Sequence, residues 1–211
     1  MNLLAIVAGR KGKSTDRLVE RALEGAASRE PAGRGEKINL FDYRIEFCKN
    51  CLSCRDSRAP GPYARCAIRD DMDILAEKLA AADRLIFGTP VHMGYPPGIL
   101  TAFLERVCWT FAKPERRILT ITGCPLPRDP KPRRAAIIVS AGVVPPFFRR
   151  FCDEATPYIS SSIRDSLNAE TIGSFYAGAL EKRGVEPYLD KAFRLGRRLA
   201  ASERNERNRD R

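Results

Sequence analysis

The first thirty residues constrain the fold most, because they have the pattern of a strand, a short polar loop and a helix. Residues 2–8 form an apolar run that ends at Gly9. From Asp16 onward, apolar residues recur with the spacing of one helix face, at Leu18, Val19, Ala22, Leu23 and Ala26. The pattern therefore predicts a buried strand followed by a helix that begins at Ser14 or Thr15.

The loop between this strand and helix has the composition of an anion-binding site. Its residues supply glycine, positive charge and hydroxyl groups: Gly9, Arg10, Lys11, Gly12, Lys13, Ser14 and Thr15. A helix N-terminus favours negative charge through its dipole and its unpaired N–H groups. A P-loop would need glycine where Val7 stands, and the dinucleotide fingerprint would need a third glycine. The loop therefore favours a mononucleotide phosphate site, and an ordinary strand–helix connection is the alternative.

Apolar runs alternate with helical patterns along the rest of the chain, which predicts an α/β fold with a doubly wound parallel sheet. The predicted further strands are residues 37–43, 84–88, 135–142 and 171–180. The predicted further helices are residues 72–80, 100–108, 147–167 and 185–202. We expect one domain over residues 1–203, in which 111–132 is a long Pro-rich insertion, and a basic disordered tail over 204–211.

Three of the predicted strands end in small loops that contain glycine. These loops lie at Gly9, at Thr89 and at Gly142. In a doubly wound sheet, the carboxyl ends of the strands gather at one edge, and ligands bind there. The convergence of three such loops predicts a ligand site more specifically than the first loop does alone.

The cysteines and the charge limit the class of protein. No apolar run approaches the roughly 20 residues of a membrane span, which predicts a cytoplasmic protein that has no membrane partner. Seven cysteines in such a chain favour metal or redox chemistry over disulfides. The net charge of +11 favours anionic partners, but no nucleic-acid-binding motif is present and no nucleic-acid partner is expected.

Four cysteines have the spacing of a ligand set. Cys48, Cys51 and Cys54 form a C-x₂-C-x₂-C run, and Cys66 follows after eleven intervening residues. Thiolates select iron–sulfur clusters or zinc. The alternative is a reduced loop in which the cysteines have only a structural role.

Four segments, in this order, resemble the NADPH-dependent FMN reductases of flavodoxin fold, and within them the iron–sulfur flavoproteins. They are Arg10–Thr15, Phe47–Cys54, Cys66–Met72 and Gly88–Gly94. The first is similar to the family's Arg-Lys-Gly-Gly-Asn-Thr loop, and the last is similar to Gly-Thr-Pro-Val-Tyr-x-Gly. The middle two resemble Pro-Cys-x-Gly-Cys-x-x-Cys and Cys-Val-Ile-x-Asp-Asp-Met. This sequence departs from the pattern at Lys13, Ser14 and His92.

The resemblance implies a flavodoxin-like fold with five parallel strands and helices on both faces, bound FMN, and a homodimer or homotetramer. The FMN phosphate would lie on the first loop, and backbone amides of the later loops would contact the flavin ring. The ring would be enclosed by the other two loops, through Thr89, Pro90, Val91, His92, Met93, Gly94, Ser140, Ala141 and Gly142.

The implied activity is hydride transfer from NAD(P)H to FMN, which requires no catalytic acid or base from the protein. Electrons would pass to a small-molecule or protein acceptor, for example ferredoxin, a quinone or free flavin. Cys48, Cys51, Cys54 and Cys66 would hold a [4Fe–4S] cluster, although the family's last gap is shorter. The alternatives are an FMN electron carrier without NAD(P)H reductase activity, against which the charge of +11 argues, and a regulatory nucleotide-binding module.

Overall fold

Five parallel strands form the central sheet, in the order β2-β1-β3-β6-β7. The computed structural model describes residues 1–201, so the predicted tail at 204–211 lies outside the described residues. The strands of this sheet are β1 (Asn2–Val7), β2 (Arg34–Asn39), β3 (Arg84–Pro90), β6 (Arg133–Ser140) and β7 (Ala169–Ala177). A separate antiparallel hairpin consists of β4 (Ala112–Ile118) and β5 (Ile121–Pro127). The prediction of a flavodoxin-like, doubly wound sheet of five strands is confirmed.

Helices cover both faces of the sheet. They are α1 (Ser14–Arg29), α2 (Met72–Ala81), α3 (Gly98–Phe111), α4 (Arg149–Cys152), α5 (Ala155–Leu167), α6 (Leu180–Arg183) and α7 (Glu186–Ala200). Side chains alternate along β1, so that Leu4 and Ile6 pack with α2, α3 and α5, while Leu3 and Ala5 pack with α1 and α7. Within residues 1–201, no helix has the length and apolar character needed to cross a membrane.

Most of the predicted strands end earlier than expected; the strand predicted over 135–142, for example, ends as β6 at Ser140. Residues 37–43 were predicted as one strand, but β2 ends at Asn39 and a 3₁₀ turn follows at Leu40–Asp42. The Asn39 side chain accepts a hydrogen bond from the Phe41 N–H (3.0 Å) and so begins the turn. Residues 171–180 were also predicted as a strand, but β7 ends at Ala177, because Ala179 adopts a left-handed conformation (φ 54°) that begins α6.

The predicted insertion at 111–132 is largely the β4–β5 hairpin. Its strands pair antiparallel with register shifts, and three prolines fall within them. Leu119 and Gly123 both have positive φ, at the turn and just beyond it. The Arg128 N–H donates to the Phe111 carbonyl (2.8 Å), so the hairpin returns to the C-terminal end of α3 before β6 begins. The segment is therefore an ordered appendage at the end of α3 that lies opposite the carboxyl edge of the sheet.

Candidate functional site

A cleft of about 610 Å³ opens at the carboxyl edge of the sheet, where β1, β3 and β6 end. Its volume is in the range of roughly 300–1,000 Å³ that is typical of ligand sites. Most of the residues predicted to bind a ligand line it: Gly9, Arg10, Lys13, Ser14, Thr15, Pro90, Val91, His92, Ser140 and Gly142. The structure thus brings together the three loops that the sequence singled out.

The N-terminus of α1 faces this cleft without a side-chain cap. Lys13 is the N-cap residue and makes no capping hydrogen bond. The first helical N–H groups, those of Ser14 and Thr15, have no acceptor within the helix. Arg10 and Lys13 are exposed beside them and add positive charge. This arrangement of backbone donors, a hydroxyl and two cations suits a phosphate.

The buried carboxylate of Asp16 fixes the shape of the first loop. Asp16 is 3% exposed and accepts hydrogen bonds from the Gly12 N–H (2.8 Å) and from Lys37 Nζ (2.7 Å). Burial tends to lower the pKa of Lys37, but the hydrogen bonds to Asp16 and Glu20 outweigh it and raise that pKa. Gly12 itself has φ +67°, a conformation that favours glycine. The Asp16–Lys37 pair therefore holds the loop in place.

The loop is joined to the end of β6 by two hydroxyl groups. Thr15 Oγ1 lies 2.7 Å from Ser140 Oγ in a buried hydrogen bond. One hydroxyl donates to the other, so only one of the two remains free to donate to a ligand. A Cβ atom on Gly9 would lie 3.0 Å from both Cβ and Oγ1 of Thr15. Glycine at position 9 therefore allows Thr15 to reach Ser140.

Six of the predicted residues lie beside the cleft and do not line it: Lys11, Gly12, Thr89, Met93, Gly94 and Ala141. Lys11 forms an ion pair with Asp42 (2.7 Å). Thr89 is fully buried, and its hydroxyl donates to the carbonyl of the next residue (2.8 Å). Gly94 has φ +89°, and its carbonyl accepts the N–H groups of Glu154 and Ala155. These residues shape the loops that form the cleft.

Several backbone amides that were expected to contact a flavin are already engaged. The Val91 N–H donates to the Ser140 carbonyl (2.9 Å), and the His92 N–H donates to the Tyr95 carbonyl (2.8 Å). The Ala141 N–H donates to the Ala177 carbonyl (2.8 Å). These three groups are not available to a ligand. In the described part of the chain, the Gly142 N–H donates to no protein acceptor. Gly142 lines the cleft, so a ligand could accept a hydrogen bond from this amide.

The sequence reasoning missed other residues of the cleft: Ala8, Phe41, Pro97, Leu180 and Glu181. Asn39 connects the first loop to Phe41, because its side-chain amide donates to the Gly9 carbonyl (2.7 Å) while its oxygen accepts the Phe41 N–H. The sequence signal that could have placed Phe41 at the cleft was Asn39, a polar residue at the carboxyl end of β2. Leu180 was missed because it was assigned to the end of a strand, and Glu181 follows it directly.

An arginine of α3 holds both ends of the cysteine-rich loop, residues 48–66. Arg106 is 2% exposed and donates to the carbonyls of Glu46 (2.8 Å) and Ile68 (3.5 Å), and to both carboxylate oxygens of Asp70 (2.7 and 3.0 Å). Burial tends to raise the pKa of Asp70, but hydrogen bonds from Arg106 and from the N–H groups of Glu46 and Met72 outweigh it and lower that pKa. The pair is therefore ionised and fastens the loop to α3.

The four cysteines of this loop are free thiols. Cys48 and Cys51 are exposed, whereas Cys54 and Cys66 are half-buried. Burial raises the pKa of the Cys54 thiol, and the neighbouring Cys66 acts in the same direction. Among residues 1–201, no three His, Cys, Asp or Glu side chains are grouped so that they could hold a metal ion. The assignment of Cys48, Cys51, Cys54 and Cys66 to a [4Fe–4S] cluster stays a prediction, and none of these thiols enters the mechanism proposed below.

Comparison with known proteins gives the family. The model of the NADPH-dependent FMN reductase family matches residues 1–120, which include the first loop, the cysteine-rich loop and the end of β3. An iron–sulfur flavoprotein of Methanosarcina thermophila is 35% identical over 97 residues, which are 46% of this chain and 47% of that protein. An iron–sulfur flavoprotein of Archaeoglobus fulgidus is 31% identical over 106 residues, which are 50% of this chain and 48% of that protein. This chain therefore spans about half the length of the curated relatives it matches.

Solved structures share the fold over nearly the whole chain. A flavone reductase superposes with a TM-score of 0.68 at 20% identity and covers 95% of this chain and 62% of its own. An FMN-dependent NADH-azoreductase from Bacillus anthracis in complex with FMN gives a TM-score of 0.65 at 16% identity, with 95% and 100% coverage. A flavodoxin from an archaeon gives 0.53 at 13% identity. These likenesses show a flavodoxin-like fold, and the match over residues 1–120 shows that the chain belongs to the NADPH-dependent FMN reductase family.

Proposed function

We propose that the protein is an FMN-dependent oxidoreductase that accepts hydride from NAD(P)H and passes the electrons to an acceptor. The observation that carries the proposal is the cleft at the sheet edge. It combines an uncapped helix N-terminus with an open wall formed by Pro90, Val91 and His92. A phosphate at one end and a flat ring at the other match these two parts. The family to which the chain belongs supports the same reading.

The residues of the first loop fit the phosphate of FMN. The N–H groups of Ser14 and Thr15 and the hydroxyl of Ser14 would donate to its oxygens, because they lie at the uncapped end of α1. Arg10 and Lys13 would balance its charge. The Asp16 carboxylate does not compete for the site, since it is buried under the loop and paired with Lys37.

The other two loops fit the ring of the cofactor. Pro90, Val91 and His92 form one wall, and Gly142 supplies an N–H group from the opposite side. When bound, FMN supplies hydride acceptance and electron transfer, so the protein need supply no acid or base. The role of the protein would be to bind the cofactor, to orient it and to leave one face of the ring open to the nicotinamide.

Exposed apolar side chains lie on two segments that meet at the loop after β3. Met93 is 98% exposed, and Phe147 and Phe151 are 75% and 77% exposed. The segment that carries these phenylalanines contacts the loop after β3, because the Glu154 N–H donates to the Gly94 carbonyl (2.9 Å). This apolar rim supports a flat, apolar electron acceptor such as a quinone, and a homo-oligomer in which a second copy covers the rim.

The phosphate contacts can be tested with a double substitution, Ser14→Ala/Thr15→Ala. The Ser14 hydroxyl would give a charged acceptor a hydrogen bond worth roughly 1.5–3 kcal/mol, and Thr15→Ala also removes the bond that joins the loop to Ser140, so the affinity for FMN should fall at least about tenfold. The affinity for riboflavin, which lacks the phosphate, should barely change. Ser28→Ala is the matched control, because Ser28 lies at the other end of α1 and its hydroxyl donates to the Gly25 carbonyl (2.7 Å).

Flavin fluorescence quenching measures both affinities, and circular dichroism checks that the variants fold. Equal weakening of FMN and riboflavin would show that the loop does not recognise the phosphate. The rate at which NADPH reduces the bound flavin, measured by stopped flow, then distinguishes an oxidoreductase from an electron carrier. Rapid reduction supports the oxidoreductase, whereas tight FMN binding without reduction would indicate an electron carrier.

A further inference from the structure

A second cleft lies between the cysteine-rich loop and the β4–β5 hairpin. Its volume is about 430 Å³, and its walls are residues 55–61 on one side and residues 113–115 with Arg128 on the other. No residue of the first cleft's lining belongs to it. Both walls come from segments without a role in the proposed function, namely the long gap before Cys66 and the hairpin. The structure brings these two unexplained segments together.

The two clefts lie at opposite ends of α3. Pro97 immediately precedes this helix and lines the first cleft, whereas Lys113 and Pro114 follow it and line the second. The helix has 14 residues, which corresponds to a length of roughly 21 Å at 1.5 Å per residue. A small molecule bound in the second cleft would therefore not contact a cofactor in the first.

The second cleft carries an excess of positive charge. Its charged lining residues are Arg55, Asp56, Arg58, Lys113, Glu115 and Arg128. Each acid already pairs with a cation, because Asp56 contacts Arg55 (2.7 Å) and Glu115 contacts Lys113 (2.5 Å). In the part of the chain that the structure describes, Arg58 and Arg128 have no carboxylate partner. Two positive charges in the cleft are thus uncompensated.

Arg128 is held rigidly at the base of the cleft. Its guanidinium donates to the carbonyls of Cys54 (2.8 Å), Ala112 (3.1 Å) and Ser57 (3.2 Å), and over 3.4 Å to that of Arg55. A guanidinium has five N–H donors, so one remains for a ligand. Because the carbonyls are neutral, they fix this cation without cancelling its charge. A fixed cation loses little conformational entropy when it binds an anion.

We propose that this second cleft binds a small phosphorylated anion. Arg128 would supply a fixed charge and one N–H, and Arg58 would close over the anion from the exposed rim. Arginine suits this role, because its planar fork matches the oxygens of a phosphate. Pro60 and Pro114 add apolar surface to the lining, so the cleft can take a diphosphate alone or one that is attached to a flat base. Binding there would join the cysteine-rich loop to the hairpin.

The test is calorimetric titration of the FMN-saturated protein, so that the first cleft is filled, in about 150 mM salt to suppress weak surface attraction. The probes are inorganic pyrophosphate and ADP. Arg58→Gln should weaken the binding of both at least fivefold, and Arg58→Glu more than tenfold. Arg117→Gln is the matched control, because Arg117 is an exposed cation of the same hairpin outside the cleft. It should change either affinity less than twofold.

The proposal is overturned if neither probe binds below about 1 mM, or if Arg117→Gln weakens binding as much as Arg58→Gln does. It is also overturned if adding FMN displaces the probes from FMN-free protein, since the first cleft would then be their site. Equal affinity for the two probes would show that the phosphoryl groups alone are recognised. Tighter binding of ADP would show that the cleft accepts a nucleotide.

Discussion

Replacing Arg106 by methionine should destabilise the protein severely, because it leaves a buried carboxylate without its partner. The side chains of Arg106 and Asp70 are 1% and 0% exposed, and two hydrogen bonds of 2.7 and 3.0 Å join them. Breaking a buried ion pair from one side costs about 3–5 kcal/mol. The total stability of a domain is about 5–15 kcal/mol, so a large share of it should be lost.

Urea denaturation followed by circular dichroism measures this loss. For a slope of roughly 2–3 kcal/mol per molar urea, the midpoint should fall by about 1–2.5 M. Arg65→Met is the matched control, because Arg65 pairs with Asp73 (2.8 Å) near the same loop but its side chain is 66% exposed. An exposed pair contributes about 0–1 kcal/mol. If the two substitutions shift the midpoint equally, the reasoning about the buried pair is wrong.

The same pair should make stability depend on pH. The pKa of Asp70 lies below its ordinary value of 3.8 in the folded protein, so the ionised carboxylate stabilises the fold above that pH. The contribution is lost as the pH falls through the folded-state pKa. The difference between the native protein and Arg106→Met should therefore be largest near neutral pH and should shrink below pH 3.8. A difference that stays constant down to pH 2 would contradict this account.

Two further predictions concern the first loop. Gly9→Ala should lower the affinity for FMN about tenfold, because the added Cβ would lie 3.0 Å from Thr15; Gly98→Ala is the control, since a Cβ there meets nothing within 4 Å. Fluorescence titration measures both, and equal affinities would refute the steric argument. Asp16→Asn should cost about 1–3 kcal/mol of stability in urea denaturation, because the Lys37 ammonium loses its buried partner. A stability within about 0.5 kcal/mol of the native value would show that the pair does not hold the loop.

The parts of the site that the sequence predicted are those fixed by local patterns. The helical spacing after Asp16 located α1, because one face of the helix packs on the sheet, and the helix begins at Ser14 as predicted. The ends of parallel strands meet at one edge by topology, so the loops after β3 and β6 could be placed near the first loop. These inferences needed no knowledge of tertiary contacts.

The parts that were missed depend on single tertiary contacts. The strand predicted over 37–43 ends at Asn39 because one side chain bonds both the Gly9 carbonyl and the Phe41 N–H. The alternation of polar and apolar residues continues past Asn39 to Leu40 and breaks only at Phe41, inside the turn, so periodicity gave little sign of where the strand ends. Leu180 was assigned to the end of a strand for a similar reason, since the left-handed residue Ala179 gives no sequence signal. Both errors hid residues that line the cleft.

The cysteine-rich loop shows why spacing alone does not fix where thiols lie, and its cluster ligand set stays a prediction. The spacing of Cys48, Cys51 and Cys54 is compatible with a cluster, yet the positions of the thiols depend on contacts from α3 and from the hairpin. Arg106 fixes the two ends of the loop, and Arg128 fixes its middle. Neither arginine lies within the loop, so the sequence pattern could not identify them.

These contacts also explain how the loop tolerates its long gap before Cys66. Closing a longer loop costs only about 0.6 kcal/mol for each doubling of its length. Arg128 offsets that cost, because its hydrogen bonds to Cys54 and Ser57 hold the middle of the loop against the end of the hairpin. Near the end of the loop, the Ala64 N–H donates a hydrogen bond to the Thr110 carbonyl of α3 (2.7 Å). The chain then reaches Asp70, the partner of Arg106. The gap and the hairpin therefore form one structural unit, and deleting the hairpin should loosen the middle of the loop while its ends stay attached to α3.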